Sequence, residues 1–426
     1  MITSRSSSGV PPIAWGLFLV QLFLAVCLPG GSVYGLEIKT ITFVLFFVLF
    51  VLDLATMRYS FSHREITFVA VVTACLCFWS LEGLFRGQGY SDQVLLQLRA
   101  IAMAIAVAFL SIFAIRRGLV KAETLITVII YGMFAVSAVK VALVVASFPS
   151  NIDLVQTAHS VFGEETRVEP LLLGLFRLDF PADSVGAFAL FALLAPSVSG
   201  VRFSRMSKLF ISIIVVLGSG FLGYARATWF VYVACIFVAM IVERSWKAMA
   251  VTILAALVLG VCYYDVFSAV SEDRFVAQAE SSDIGRIEQA RALMAEIEVR
   301  PMLGKGMGAH LDTDTRNLRQ RYSYEVLWLG FLMQFGIMGE IGVLILVTAS
   351  ARDLVMAKHP AKLWVLLVFA LWLLENCFNP HLTSSFAGAT FGLFMAMFYR
   401  MRYANLSNAG GVRVAAGHHA TAFARG

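Results

Sequence analysis

Apolar runs approaching the roughly twenty residues needed to cross about 30 Å of hydrocarbon as a helix recur along this chain from Ile13 to Tyr399. A chain built this way has nowhere to bury all its runs in a water-soluble core. Of its 426 residues 59% are hydrophobic and 14% charged, where a soluble domain carries roughly 25% charge. Mean hydropathy is +0.81. The fold class expected is an all-α polytopic integral membrane protein, and ordinary soluble enzymes are excluded. The run from Ile13 to Leu28 has one basic residue before it, Arg5, and is followed by Pro29-Gly30-Gly31 without a small-x-small cleavage pattern, so it reads as a retained first helix.

Periodicity and breakers divide the chain into about twelve spans: 12–28, 38–56, 66–84, 96–115, 122–148, 181–199, 207–223, 227–242, 247–264, 325–349, 361–379 and 383–400. With the N-terminus inside, the inner segments hold 18 of the 33 Lys and Arg residues. The short outer segments hold only Lys39, Arg86, Arg167 and Arg177. Long outer loops are exempt from the positive-inside rule, so this bias places both termini in the cytoplasm. It also accounts for the net charge of +6 without a nucleic-acid partner. The organisation expected is helices 1–5 in 1–148, a shorter outer loop at 149–180, helices 6–9 in 181–264 and a long outer loop with helical content at 265–324. Helices 10–12 follow in 325–402, then a disordered cytoplasmic tail at 403–426. The six cysteines all lie in or at the end of apolar runs, where they act as small hydrophobes, so neither disulfides nor a metal site are expected.

Charges within spans are costly and usually face a polar cavity. Glu82, Arg99, Lys140, Asp183, Arg226, Glu325 and Glu375 fall in the outer halves of their spans, and only Asp53 and Glu340 fall toward the inner side. That distribution points to a pocket opening outward, although any one of these groups could equally snorkel or pair structurally. Lys140, flanked by Val139, Val141, Ala142 and Leu143, is the hardest to bring to an interface.

In the long outer loop seven of the eight basic residues are arginine, a bias suited to a phosphorylated ligand because the planar guanidinium binds phosphate through two parallel bonds. Ser281-Ser282-Asp283 reads as the N-cap of a helix ending near Arg300 before Pro301. Ile287, Ala290, Met294 and Ile297 would form its buried stripe, with Arg286 beside it. An arginine on the packed side of such a helix either holds an anion or makes an ion pair. Gly304-Lys305-Gly306-Met307-Gly308 lacks the strand and the Lys-Ser or Lys-Thr of a nucleotide loop and reads as a flexible turn. His310, His359 and His381 show no metal spacing, His418-His419 reads as solvated, and there is no paired-aspartate signature for a metal-nucleotide sugar.

Several segments, in order, resemble the bacterial O-antigen polymerase and O-antigen ligase superfamily. They are Tyr224-Ala225-Arg226-Ala227-Thr228-Trp229, Ser282-Asp283-Ile284-Gly285-Arg286 leading to Pro301-Met302-Leu303-Gly304-Lys305-Gly306-Met307-Gly308, Tyr324-Glu325-Val326-Leu327-Trp328 leading to Phe335-Gly336-Ile337-Met338-Gly339, and Phe378-Asn379-Pro380-His381-Leu382. Ligases of this group place a His-Asn pair where this chain has Glu325-Val326, so the resemblance leans to the polymerase branch. It implies a metal-independent glycosyltransferase with no cofactor, located in the bacterial inner membrane with its active site facing the periplasm. Such an enzyme moves a glycan from undecaprenyl pyrophosphate onto the next lipid-linked repeat unit, in company with the bilayer, a flippase and a chain-length regulator. On that resemblance Arg226 and Arg286 stabilise the pyrophosphate leaving group and Glu325 is the general base. Arg291 and Lys140 lend support, Arg167 and Arg177 hold the acceptor's carrier, and His381 contacts substrate. A ligase acting on lipid A core or protein is the near alternative. A lipid-linked sugar transporter is the distant one, since it would need related halves and a charged path to both faces.

Overall fold

The computed structural model describes residues 13–28, 38–56, 61–86, 91–147, 154–162, 167–170, 176–180, 182–223, 226–250, 252–254, 278–312, 321–376, 382 and 384–408. Helices coincide with every expected span except the ninth, 247–264, which lies almost wholly outside the described residues. In chain order they are α1 (Ile13–Cys27), α2 (Ile38–Ala55), α3 (His63–Arg86), α4 (Ser91–Arg116), α5 (Ala122–Ser147), α6 (Leu154–Phe162), α7 (Asp183–Leu194), α8 (Pro196–Ser199), α9 (Arg205–Val215), α10 (Arg226–Val242), α11 (Gln278–Val299), α12 (Leu327–Val355), α13 (Lys362–Glu375) and α14 (Ser385–Asn408). Among the described residues α2, α3, α4, α5 and α12 are long and apolar enough to cross a membrane.

Exposure follows the logic of a lipid solvent. Val44, Phe47, Val48, Val51 and Leu52 of α2, and Ile66, Val69, Phe78 and Leu81 of α3, all remain exposed. In water such surfaces would aggregate, whereas against acyl chains they cost nothing. α1 packs on α2 and α5, and its Trp15 joins a ring cluster with Phe18 of the same helix, Phe46 and Phe50 of α2 and Phe113 of α4, all within 6.2 Å.

Four details depart from the sequence reading. The expected span 181–199 is broken at Ala195, where the backbone leaves helical geometry before Pro196, which cannot donate into a continuing helix. The resulting α7 has 12 residues, about 18 Å, too short to cross alone. It is buried from Asp183 to Leu193, as an all-round apolar helix must be. The expected span 207–223 is likewise two pieces, with α9 passing into a π-helical turn over Val216–Phe221. The tail expected to be disordered from 403 is helical through Asn408 as the end of α14, and the shorter outer loop carries a two-stranded hairpin, β1 (Arg167–Pro170) with β2 (Phe176–Asp179).

α14 lies against α4 along a small-residue face. A Cβ on Gly388 would meet the Ala104 carbonyl oxygen at 2.5 Å, and one on Gly392 would meet Ser111 Oγ at 2.7 Å, the close approach that a Gly-x-x-x-Gly pair permits between helices in a membrane. At the expected inner end, Asp353 of α12 receives Arg116 of α4 at 3.0 Å and also pairs with Arg402 of α14, and Arg400 meets Glu123 of α5 at 3.1 Å. Four helices are thus tied where the positive-inside bias puts their basic ends. Gly388→Leu is expected to destabilise the bundle by roughly 1–3 kcal/mol through overpacking. Gly342→Leu, with nothing within 4 Å of its Cβ position, leaves thermal unfolding of the protein in lipid nanodiscs unchanged.

Candidate functional site

The end of the bundle away from Asp353 is organised by a break in α12. Gly336 adopts φ 64° and ψ −175° inside that helix, a combination open to glycine and strained for other residues. An uninterrupted helix would bond Ile337 N to Met333 O and Met338 N to Gln334 O. Both bonds are replaced by the segment after α11. Ile337 N donates to Pro301 O at 2.9 Å and Met338 N to Met302 O at 3.1 Å, while Lys305 N donates to Met333 O at 2.9 Å and Gly306 N to Gln334 O at 2.8 Å. All four groups freed by the kink are satisfied, as main chain at membrane depth must be.

The Gly-rich run is therefore a clasp, and the flexible turn expected from sequence is corrected. Gly304 (φ 71°) and Gly336 come so close that a Cβ on the first would lie 2.4 Å from Gln334 O and one on the second 2.4 Å from Met302 O. The other side is held as firmly. Met307 N donates to Trp79 O at 2.9 Å, Trp79 Nε1 to Leu303 O at 3.0 Å and Gly308 N to Gln97 Oε1 at 2.6 Å. Gln97 Nε2 donates to Gln334 Oε1 at 2.6 Å, and Gln334 Nε2 to the carbonyls of Ala309 and Tyr322, each at 3.0 Å. Those two glutamines, one on α4 and one on α12, were not singled out in the sequence. Their only signal there is that each is an uncharged polar side chain inside an apolar run. At 1.5 Å per residue, His63 to Gly83 and Gly336 to Val355 each span roughly 30 Å, which sets the clasp at one edge of the apolar layer.

From the clasp α11 is held against the N-terminal part of α12. It begins at Gln278, before the expected Ser281–Asp283 cap, and its packed face is rotated from the expected stripe. Gln289, Leu293 and Ile297 are buried, whereas Ile287 and Met294 are exposed. The residues Ile284, Ile287, Ala290, Ala292 to Ala295 and Ile297 give this helix apolar character on nearly every side, so periodicity fits more than one phase. Leu293 and Ile297 pack with Tyr324 and Met333, and Gln289 Oε1 accepts from Val326 N at 3.3 Å. Arg286 lies on this packed side, and its Nε donates to Glu325 Oε2 at 2.9 Å. The two side chains are 29% and 26% exposed, so the pair is neither dry nor fully solvated. Tyr324, next to Glu325, is fixed by accepting from Leu311 N at 2.7 Å, and Lys305 pairs with Glu296, Arg300 with Glu82 at 3.7 Å.

Two of the three residues expected to act together are thus in contact across 39 positions of sequence. The third, Arg226, is the first residue of α10. Arg291 is exposed and lies about 140° around α11 from Arg286, so it does not join the pair. Lys140 is also corrected as a ligand group. Its side chain is fully buried, its Nζ donates to both Asp183 oxygens at 2.9 and 2.7 Å, and it sits 4.4 Å from the Phe180 ring centre. That charge braces α5 to α7. Arg167 and Arg177 occupy the hairpin, whose register sets Arg167 opposite Asp179 and Arg177 opposite Glu169; Leu178 N ties the hairpin to Leu222 O at 2.9 Å. His381 and the rest of Phe378–Pro380 lie outside the described residues.

Compared with known proteins, the chain matches no family model and no curated protein.

Gly304→Ala and Gly336→Ala are each expected to lower stability by roughly 1–3 kcal/mol from backbone strain alone, and to open the 301–308 segment to limited proteolysis from the outer face. Gly16→Ala, an open helix position in α1, keeps wild-type stability and proteolysis.

Proposed function

We propose that this protein polymerises lipid-linked oligosaccharide repeat units at the outer face of a bacterial inner membrane, with about twelve crossings and both termini cytoplasmic. The observation that carries the reading is the contact between Arg286 and Glu325, the anion-binding and basic groups that the resemblance implies, held on a helix over the outer end of the bundle. In this reading the glycan's anomeric carbon leaves an undecaprenyl pyrophosphate and is attacked by a hydroxyl of the next lipid-linked repeat unit. The new C–O bond forms as the bond to pyrophosphate breaks, the electron pair leaves on the pyrophosphate, and the hydroxyl proton passes to a base.

The pair suits both halves of that exchange. Without substrate, each charge is balanced by the other, which limits the cost of holding them partly buried. An arriving pyrophosphate offers Arg286 a stronger, doubly hydrogen-bonded partner, and the competition frees Glu325 to take the hydroxyl proton. Arg226 at the head of α10 supplies a second positive group for the leaving charge. Arg167 and Arg177 in the hairpin, Arg291 on the outer side of α11 and His381 remain candidates for holding the acceptor. Flanking apolar helices take the polyprenyl tails, and a flippase and chain-length regulator are the expected partners.

The test uses cells lacking the protein, complemented with wild type, Arg286→Ala or Glu325→Gln at equal membrane abundance, with glycan length read on a gel. The expected result is single-repeat glycans in the null strain, a full ladder with wild type, and polymer formation reduced roughly 10²–10⁴-fold by loss of the base. Full ladders from both variants would overturn the site. Long chains accumulating on the lipid carrier in the null strain would instead identify a ligase.

A further inference from the structure

Two acidic side chains are almost completely buried at the expected outer ends of their helices, and the structure treats them in opposite ways. Asp183 of α7 is 3% exposed and receives Lys140, the Phe180 amide and, on its carbonyl, the Tyr232 hydroxyl. Glu375, the last residue of α13, is 2% exposed. Its Oε1 accepts from Thr228 Oγ1 of α10 at 3.2 Å, and among the described residues its Oε2 has no hydrogen-bond partner. The next residue adds a second orphan acceptor, because Asn376 Oδ1 is also buried without a donor while its Nδ2 is committed to Trp372 O.

An ionised carboxylate with no cation beside it is very costly in a medium of low dielectric. Among the described side chains, those on the helices packed against it do not supply the missing charge. α10 presents Thr228, Tyr232 and Cys235, none of them cationic. α12, which also touches α13, carries Glu340 within the helix and Arg352 and Asp353 at its inner end, and α14, whose Phe391, Phe394 and Phe398 meet Phe369 of α13, carries Arg400 and Arg402, which pair with Glu123 and Asp353.

We propose that the Glu375 carboxyl is a proton-binding site, held as the neutral acid between α10 and α13. A proton removes the uncompensated charge and turns the orphan acceptor Oε2 into a donor. A hard metal cation fits less well, since it asks for about six oxygen ligands and two orphan oxygens fall short. Loss of the proton would place a bare charge in the α10–α13 contact, so proton occupancy governs how firmly α10, and with it the Arg226 end, is seated. This inference does not depend on the glycan-transfer reading.

The experiment is infrared difference spectroscopy of the full-length protein in lipid nanodiscs, comparing wild type with Glu375→Gln and Thr228→Val at neutral pH. The expected result is a protonated-carboxyl carbonyl band in wild type that is missing from Glu375→Gln and shifted in Thr228→Val, where the hydrogen bond to Oε1 is gone. If Glu375→Gln does not fold, the Thr228→Val shift alone decides the matter. Identical carbonyl regions in wild type and the variants would overturn the proposal by showing an ionised carboxylate. A wild-type band that disappears on adding sodium at constant pH would overturn it in favour of a metal-cation site.

Discussion

Two hydrogen bonds that α12 forgoes at Gly336 organise one end of this protein. Main-chain groups in hydrocarbon have no water to turn to, so a kinked helix must find other partners for them. Here the partners come from thirty residues upstream, where 301–306 lies against 333–338 and exchanges two bonds in each direction. The same short segment reaches α3 through Trp79 and α4 through Gln97. One stretch of irregular backbone therefore fixes three helices relative to one another and sets where α11 starts its return across them.

What α11 presents follows from that anchorage. Ile297 and Leu293 pack on the outer end of α12, and the register of the helix then brings Arg286 to Glu325. The site's two charged members sit on separate elements whose relation is set by main-chain bonds, so little side-chain freedom is left to be lost when a ligand arrives. Below them, the buried polar groups are distributed by need. Lys140 and Asp183 neutralise each other, Ser137 and Ser219 share a bond of 2.7 Å beside the π-helical turn, and Glu375 is left to a proton.

The sequence carried the helices and hid the clasp, for physical reasons. Apolar runs are long and read directly, so α2 to α5 and α12 appear where composition puts them. An apolar run continues past Ala195 and only Pro196 marks the break, so composition alone extends α7 too far. In α11 Arg286 was correctly put on the packed side, while the stripe was given the wrong phase because apolar residues surround the helix. Periodicity also carries no information about which distant main-chain group completes a broken hydrogen bond, so Gly304 and Gly336 looked like unrelated punctuation. Lys140 stood out as a charge in an apolar run, but its partner Asp183 lies 43 positions away and nothing in the spacing links them. The Arg286–Glu325 contact was legible only through the resemblance that gave both residues a role.

The central claim is that the 301–306 segment is bonded into the break of α12, and backbone amide hydrogen exchange of the protein in lipid nanodiscs tests it most directly. The account predicts that Lys305, Gly306, Ile337 and Met338 exchange as slowly as the middle of α12, because all four amides are donors in the clasp. Fast exchange at Lys305 and Gly306, together with slow, uninterrupted helical protection through 337 and 338, would contradict it.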